Sequence, residues 1–306
     1  MYIGHATLLR RKVSEPAGAL RKELRRPGIV LVPGVFNALL AMMAESMGFK
    51  AVYFSGAAFT ASLGLPDIGL ITMDEVARAV KYITDAVSIP VIVDIDTGYG
   101  EALNVARAVR EMERAGAAAV QLEDQVLPKK CGHLAGKGLI SSVEMAKKVR
   151  TAAEARQNSD FVIIARTDAR GVTGFEDAIE RAKLYLDVGA DVIFPEALES
   201  EEEFREFSRR VRAPLLVNMT EFGKSPLIPA RKLEEMGYKF VIYPVTMLRM
   251  MMASAREALS LIMQHGTQEA LVPRMFTRKE LYDLIGYHEY EEFDRKISQE
   301  VEGGQA

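Results

Sequence analysis

Residues 91–124, VIVDIDTGYGEALNVARAVREMERAGAAAVQLED, contain one complete strand–helix–strand unit. The apolar run Val91–Val93 is followed by a polar, glycine-bearing loop and by helical periodicity over Leu103–Ala115. Gly116 then gives a helix stop signal, and a second apolar run follows at Ala119–Leu122. Short, nearly unbroken apolar runs are typical of strands buried on both faces of a parallel sheet. The stretch therefore predicts a parallel α/β unit.

The same pattern recurs along the chain from Gly28 onward. The predicted strands are Ile29–Val32, Ala51–Phe54, Val91–Val93, Ala119–Leu122, Phe161–Ala165, Asp191–Phe194, Pro214–Val217 and Phe240–Tyr243. Helical periodicity between them is clearest at Asp74–Val87, Leu103–Ala115, Val143–Ala155, Phe175–Val188 and Glu202–Val211. Eight such units in about 240 residues predict an α/β fold of the (β/α)8 TIM-type barrel. A doubly wound open sheet is less favoured, because no GxGxxG sequence follows the first strand.

The chain outside this repeat divides into two short segments. We expect residues 1–27 to form an N-terminal extension, residues 28–265 the catalytic barrel, and residues 266–306 a C-terminal helical tail. A tail outside a closed barrel has no core of its own, so it is expected to pack on its own barrel or on a partner subunit. A Met-rich helix is predicted after Val245, and its run Met250–Met252 predicts core packing.

Composition excludes several classes of protein. The chain has 306 residues, and its formal net charge of −3 gives no electrostatic reason to expect a nucleic-acid or membrane partner. No apolar run reaches the roughly 20 residues that span a bilayer. Cys131 is the only cysteine, so an intrachain disulfide scaffold is excluded. These features predict a cytoplasmic metabolic enzyme or binding protein.

Acidic residues follow two adjacent predicted strands, where barrel enzymes place their functional groups. Asp94 and Asp96 end the third strand and Glu123 ends the fourth. Converging carboxylates repel one another unless a cation lies between them, and oxygen ligands suit Mg²⁺, or alternatively Mn²⁺. Each residue alone could instead cap a helix or bind loop amides. Together they favour a metal site.

A second constellation, Lys129-Lys130-Cys131-Gly132-His133, follows the fourth strand. Neighbouring positive charges favour ionisation of a thiol, which suits Cys131 to a role as proton donor or nucleophile. Gly132 and Gly136 predict a flexible loop that closes over a ligand. Arg166, at the end of the fifth strand, is either a clamp for a substrate carboxylate or a buried partner of the acidic cluster.

Several motifs are specific enough to indicate a family. They are Tyr53-Phe-Ser55-Gly56, Ser62-Leu-Gly-Leu-Pro-Asp67, Val93-Asp94-Ile-Asp96-Thr-Gly98-Tyr-Gly100, Glu123-Asp124-Gln125, the Lys129–His133 run, Ala165-Arg166-Thr167-Asp168, Phe194-Pro195-Glu196-Ala197 and Asn218-Met-Thr220-Glu221-Phe222-Gly223. On these motifs, from about Pro33 to Glu292, the chain resembles the isocitrate lyase and phosphoenolpyruvate mutase superfamily. The Lys129–His133 run resembles its lyase branch most specifically.

The resemblance implies roles for individual residues. It implies that Asp94, Asp96 and Glu123 hold Mg²⁺, directly or through water, and that Cys131 is the catalytic acid. Tyr53 is the expected base, and His133 joins the catalytic group while also binding a substrate carboxylate. The expected substrate-binding residues are Ser55, Gly56, Ala57, Asp67, Lys129, Gly132, Arg166, Glu196, Asn218 and Thr220. The family's typical assembly is a homotetramer whose C-terminal helices exchange between subunits.

The implied reaction is carbon–carbon cleavage of a small hydroxy-tricarboxylate. The strand ends Phe194–Glu196 and Ile242–Pro244 resemble the branch that cleaves 2-methylisocitrate to pyruvate and succinate. Isocitrate cleavage to glyoxylate and succinate is the first alternative, and an oxaloacetate decarboxylase or phosphonopyruvate hydrolase is the next. A noncatalytic barrel would have lost some strand-end groups. A Schiff-base aldolase needs a strand-end lysine inside the barrel, which none of the eight runs supplies.

Overall fold

The computed structural model describes residues 15–303. Its eight parallel strands are β1 (Val30–Val35), β2 (Val52–Phe54), β3 (Val91–Asp94), β4 (Ala119–Glu123), β5 (Val162–Thr167), β6 (Val192–Pro195), β7 (Leu216–Asn218) and β8 (Phe240–Tyr243). They lie in the order β6-β5-β4-β3-β2-β1-β8-β7. One parallel bridge, between Ile193 and Leu215, joins β6 to the segment that leads into β7. The sheet thus closes, and the predicted (β/α)8 barrel is confirmed.

The helices alternate with the strands and then continue beyond the barrel. They are α1 (Pro16–Arg25), α2 (Ala38–Ser46), α3 (Gly56–Ser62), α4 (Met73–Ala86), α5 (Ala102–Arg114), α6 (Ser142–Ala155), α7 (Phe175–Asp187), α8 (Glu201–Arg210), α9 (Ala230–Glu235), α10 (Thr246–His265), α11 (Arg278–Ile285) and α12 (Tyr287–Gly303). The five helices read from periodicity are confirmed to within one residue at each end. Side-chain capping fixes several starts, as where Thr72 and Glu75 form a capping box at α4.

The apolar core has two layers. The inner layer fills the barrel with alternate strand residues such as Tyr53, Ile92, Ile164 and Phe240. The outer layer packs the other strand faces against the helices. Leu20 of α1 is fully buried with the inner layer, so this helix closes the end of the barrel opposite the strand ends that carry polar residues. The remainder of the predicted N-terminal extension, residues 1–14, lies outside the described residues.

Gly34 of β1 shows how tightly the barrel closes beside β8. A Cβ atom at this position would lie 2.5 Å from the Cα of Pro244. This Cα is a backbone atom, so no side-chain rotation can relieve the clash. We expect Gly34→Ala to lower the free energy of unfolding by about 1–3 kcal/mol, the usual cost of overpacking. Chemical denaturation measures the change. Gly303→Ala is the matched control, because a Cβ there meets nothing within 4 Å; an equal loss in both variants would contradict the argument.

The prediction that the Met-rich helix packs in the core is wrong for the isolated chain. α10 contains no buried residue, and Met250 and Met252 are 61% and 62% exposed. The helix lies outside the closed barrel, so within residues 15–303 nothing covers its outer face. The tail beyond it is helical as predicted. Leu284 is the buried residue of α11, and α12 has no buried residue. The division at residues 27 and 265 stays a prediction.

None of the helices formed by residues 15–303 combines the length and the apolar character that crossing a membrane requires.

Candidate active site

The polar residues singled out in the sequence converge at the C-terminal ends of the strands. Tyr53 lies on β2, Asp94 on β3, Glu123 on β4 and Arg166 on β5, and all four are buried. Parallel strands in one closed sheet end at the same mouth, so side chains far apart in sequence meet there. Glu196 and Asn218, which follow or end the next two strands, complete the ring.

The acidic group contains a lysine. Lys129 Nζ lies 2.6 Å from Asp96 Oδ1 and 2.5 Å from Asp67 Oδ1, and only 4% of its side chain is exposed. Burial and the neighbouring Asp96 carboxylate raise the pKa of Asp94 to about 6. Burial lowers the pKa of Lys129, but Glu123, Asp96 and Asp94 outweigh it and raise the pKa above its usual value. The carboxylates around Lys129 therefore carry more negative charge than its single ammonium group neutralises.

The donor set fits a hard cation. Within residues 15–303 no three acidic, histidine or cysteine side chains stand ready in the geometry of a metal site, and Lys129 supplies the positive charge. The Oε1 atom of Glu123 is nevertheless buried and has no hydrogen-bond partner among the described residues. Burial raises the pKa of Glu123 well above its usual value, although Arg166 and Lys129 lower it. A buried carboxylate oxygen without a donor is satisfied by an oxygen-seeking cation such as Mg²⁺.

Arg166 is the centre of a buried charge network. Its Nε and Nη2 donate to Asp168 at 2.9 and 3.1 Å. Its Nη1 lies 3.3 Å from Glu123 Oε2 and 3.2 Å from Glu196 Oε2. The guanidinium also stacks on Phe194, 5.3 Å from the ring centroid. The structure thus shows Arg166 as a buried partner of the acidic cluster, which was one of the two predicted roles. The guanidinium also faces the mouth where a substrate carboxylate would enter.

Glu196 connects Arg166 to His133. His133 Nε2 lies 3.0 Å from Glu196 Oε1, while His133 Nδ1 accepts a hydrogen bond from the backbone N–H of Lys224 at 3.0 Å. Burial alone raises the pKa of Glu196, but Arg166 and His133 overcome it and lower the pKa to about 2. Because Nδ1 is an acceptor, the proton of a neutral ring is on Nε2, facing Glu196. His133 is thus held from two sides at the edge of the site.

Cys131 lies on a segment that we call the Cys131 loop (residues 126–138), and it is exposed. A backbone bond from Val126 N to Gly138 O closes the base of the loop, and the Gln125 side chain binds both backbone groups of Lys130. The sequence predicted that Gly132 provides flexibility. The structure shows a steric role, because a Cβ there would lie 2.5 Å from Arg166 Nη2. Glycine thus lets the backbone beside Cys131 rest directly on the Arg166 network.

Tyr53 is a hydrogen-bond donor in this site. Its hydroxyl donates to Gln121 Oε1 at 2.6 Å, and the residue is buried. Burial, together with the charge of Asp94, raises the pKa of Tyr53 well above its usual value. The phenol is therefore protonated at neutral pH. That state suits a donor to a ligand oxygen better than the base that the sequence suggested.

The remaining predicted ligand contacts lie around the same mouth. Ser55 caps α3, accepting from Ala58 N at 3.2 Å, so the N–H groups of Gly56 and Ala57 have no acceptor within the helix. Gly56 packs beside Asp94. Thr220 is buried and accepts a long hydrogen bond, 3.4 Å, from Arg249 Nη1. The predicted site residues that make the contacts described above therefore lie around one opening, and the individual roles of all sixteen stay predictions.

Backbone strain is concentrated at this opening. Asp96, Ala197 and Phe222 have φ values of +50°, +59° and +61°. Asp tolerates this left-handed region, but Ala and Phe rarely occupy it. Each residue lies in or beside a segment that presents a predicted site residue, which is where proteins retain strained conformations.

Three buried residues for which the sequence predicted no role organise the site. Asp124 accepts hydrogen bonds from Thr167 Oγ1 at 2.8 Å and from the backbone N–H of Asp168 at 2.9 Å. Gln121 holds Tyr53. The period of two in β4 puts Gln121 on the same face as Glu123, so this residue could have been found. Lys137, which binds Asp168, follows a glycine in a polar loop, and no sequence signal marks it as buried.

Comparisons with known proteins identify the family of this chain. Residues 20–263 match the family model described as phosphoenolpyruvate phosphomutase. A protein of Aeropyrum pernix named 2-methylisocitrate lyase is 57% identical over 297 residues, covering 97% of this chain and 96% of that protein. A crystal structure of 2,3-dimethylmalate lyase, described as a PEP mutase/isocitrate lyase superfamily member, aligns with a TM-score of 0.88 at 37% identity, covering 93% of this chain and 96% of the other.

A third similar structure is a phosphonopyruvate hydrolase in complex with oxalate and Mg²⁺, with a TM-score of 0.83 and 29% identity. That alignment covers 94% of this chain and 99% of the other. The family model spans most of the barrel, and the alignments extend over nearly the whole chain. The chain therefore belongs to the phosphoenolpyruvate phosphomutase family, within the PEP mutase/isocitrate lyase superfamily.

Proposed function

We propose that this chain is a magnesium-dependent carbon–carbon lyase that cleaves 2-methylisocitrate to pyruvate and succinate. One observation carries the proposal: a single exposed thiol, Cys131, stands on a loop whose backbone rests on the Arg166 network. This arrangement supports a role for Cys131 as a proton donor to a substrate whose carboxylates bind Arg166. The 57% identity to a protein named 2-methylisocitrate lyase, over nearly the whole chain, supports this substrate.

The residues divide the reaction between them. The substrate hydroxyl loses its proton to solvent at the open mouth, its oxygen becomes the carbonyl of pyruvate, and the adjacent carbon–carbon bond breaks. The electron pair of that bond goes to the carbon of the departing succinate, the Cys131 thiol protonates this carbon, and solvent returns a proton to the thiolate. Arg166 and His133 hold substrate carboxylates, and the Tyr53 hydroxyl exchanges its hydrogen bond to Gln121 for one to a ligand oxygen. The backbone N–H groups of Gly56 and Ala57 add donors at the same end of the substrate.

Asp94, Asp96 and Glu123 are the residues that would hold Mg²⁺, with Mn²⁺ as the alternative. The bound ion would supply positive charge where the substrate hydroxyl oxygen becomes negative on losing its proton. Lys129 neutralises part of the same acidic group through its ion pairs with Asp96 and Asp67. The buried Glu123 oxygen without a partner supports this assignment.

The test compares two substrates with and without chelator. We expect pyruvate release from 2-methylisocitrate to exceed glyoxylate release from isocitrate by about 10- to 200-fold in kcat/KM, the worth of one methyl group in an apolar pocket. EDTA is expected to abolish both reactions, and excess Mg²⁺ to restore them. Faster glyoxylate release would overturn the substrate but leave the lyase chemistry. Absence of both products would redirect the search to oxaloacetate and phosphonopyruvate.

The proposal includes a homotetramer in which C-terminal helices exchange between subunits. α10 lines an apolar groove of about 1070 Å³ beside Phe222, and α12 exposes Phe293, Ile297 and Val301 at helical spacing along one face. Apolar stripes of this kind are typical of interfaces. Light scattering of the full chain is expected to give four times the chain mass of 33.8 kDa, and a monomer would contradict the assembly. A cytoplasmic location completes the proposal, since a catalytic thiol must stay reduced.

A further inference from the structure

The Cys131 loop is held by one buried lysine that the proposed chemistry does not use. Lys137 Nζ donates to the backbone carbonyl of Gly132, the residue next to Cys131. The same Nζ lies 2.7 Å from Asp168 Oδ1, and only 2% of the lysine side chain is exposed. The lysine therefore ties the loop beside the thiol to the end of β5.

The carboxylate at the other end of this tie is shared with Arg166. Asp168 is fully buried, and it accepts two hydrogen bonds from Arg166 as well as the one from Lys137. The Asp168 backbone N–H is fixed in turn by Asp124. One carboxylate thus sets the position of the cation that binds substrate carboxylates and of the backbone that carries the proton donor.

We infer that Lys137 is a positioning residue for this lyase: through Asp168 and the Gly132 carbonyl it fixes where the Cys131 thiol stands relative to Arg166. The inference rests on the proposed function for its catalytic consequence. It acts through other groups, because Lys137 is buried and its ammonium group is already bound to protein acceptors. Both hydrogen bonds of the Lys137 ammonium group, to the Gly132 carbonyl and to Asp168, are charge-assisted and therefore stronger than neutral hydrogen bonds.

Lys137→Met tests this, because methionine has a similar length and no donor. We expect kcat to fall by about 10²-fold, the usual cost of a misplacement near 1 Å, with KM changing much less. Lys137→Arg keeps a donor for Asp168 and is expected to recover part of the loss in kcat. Lys239→Met is the matched control, since Lys239 is also buried and donates to the carbonyls of Arg26 and Gly28 near the start of β1, at the opposite end of the barrel.

A second measurement needs no turnover. Hydrogen exchange of the ligand-free protein reports the amides of Lys130 and Leu134, which donate to the Gln125 side chain and to the Cys131 carbonyl. We expect both amides to exchange faster in Lys137→Met and to be unchanged in Lys239→Met. If the wild-type chain cleaves neither substrate, the proposed function fails, and exchange still decides whether Lys137 orders the loop.

Two results would overturn the inference. One is a Lys137→Met variant with wild-type kcat and wild-type loop exchange. The other is an equal loss of kcat in Lys239→Met, which would indicate a general loss of stability. Lys137→Gln is the second variant if Lys137→Met does not fold. The glutamine side chain is shorter, so it keeps one of the two hydrogen bonds of Lys137 and loses the other. The same two readouts apply to it.

Discussion

Replacing Cys131 with serine is expected to lower kcat for 2-methylisocitrate by about 10²–10⁴-fold, the usual contribution of a positioned acid. A serine hydroxyl is a far weaker acid than a thiol, so it cannot protonate the departing carbon at a comparable rate. The fold should be unaffected, since Cys131 is exposed on a loop. Pyruvate release under saturating substrate and Mg²⁺ measures the effect.

The lone cysteine supplies an internal control for this experiment. Iodoacetamide can alkylate only Cys131 in this chain, so modification of the wild-type protein should cause a comparable loss of activity. The Cys131→Ser variant contains no thiol, and its residual activity should be insensitive to the reagent. Wild-type turnover in this variant would remove Cys131 from the mechanism. Reagent-sensitive residual activity would show that the measured loss has another source.

Arg166→Lys is expected to lower kcat/KM by about 10²-fold or more, because it leaves acceptors of a buried charge network without a donor, and breaking such contacts costs about 2–5 kcal/mol. Lysine keeps the positive charge but has no planar fork. It therefore cannot bind Asp168 through two nitrogens while it also contacts Glu123 and Glu196. Steady-state kinetics and thermal unfolding should be measured together, since the same contacts support the fold.

Arg156→Lys separates those two effects. Arg156 donates to Asp191 Oδ2 at 2.7 Å and to the backbone carbonyl of Phe161, at the opposite end of the barrel. The same substitution there should lower the melting temperature without changing kcat/KM. If Arg156→Lys reduced kcat/KM as much as Arg166→Lys, the role of Arg166 in binding substrate would be contradicted.

The barrel and its mouth could be predicted because their signals are local. Each buried strand is a short apolar run, and the residue that ends it is a functional candidate once the sheet is known to be parallel. Asp94, Glu123 and Arg166 were found in this way. The β4 period also places Gln121 beside Glu123, but an isolated polar residue within an apolar strand attracts less notice than a strand end.

Other features depend on contacts that no local pattern encodes. Burial of Lys137 arises from how the Cys131 loop folds back onto Asp168, and the close approach of Gly132 arises from the same fold. The close packing of Gly132 is therefore an addition to the predicted flexibility of the loop, which stays a prediction. Core packing was predicted for Met250–Met252 because apolar composition indicates burial without saying which chain provides the cover.

The join between β6 and β7 has a consequence for how this barrel fails. Elsewhere neighbouring strands pair over two or more residues, but these two meet at a single bridge between Ile193 and Leu215. Separation at this join would turn a cylinder without edges into a sheet with two, and unpaired edges template intermolecular strand pairing. Glu196 and Asn218 reach across the same join just above it, 3.4 Å apart. A ligand that binds both side chains would therefore also protect the protein from aggregation on heating.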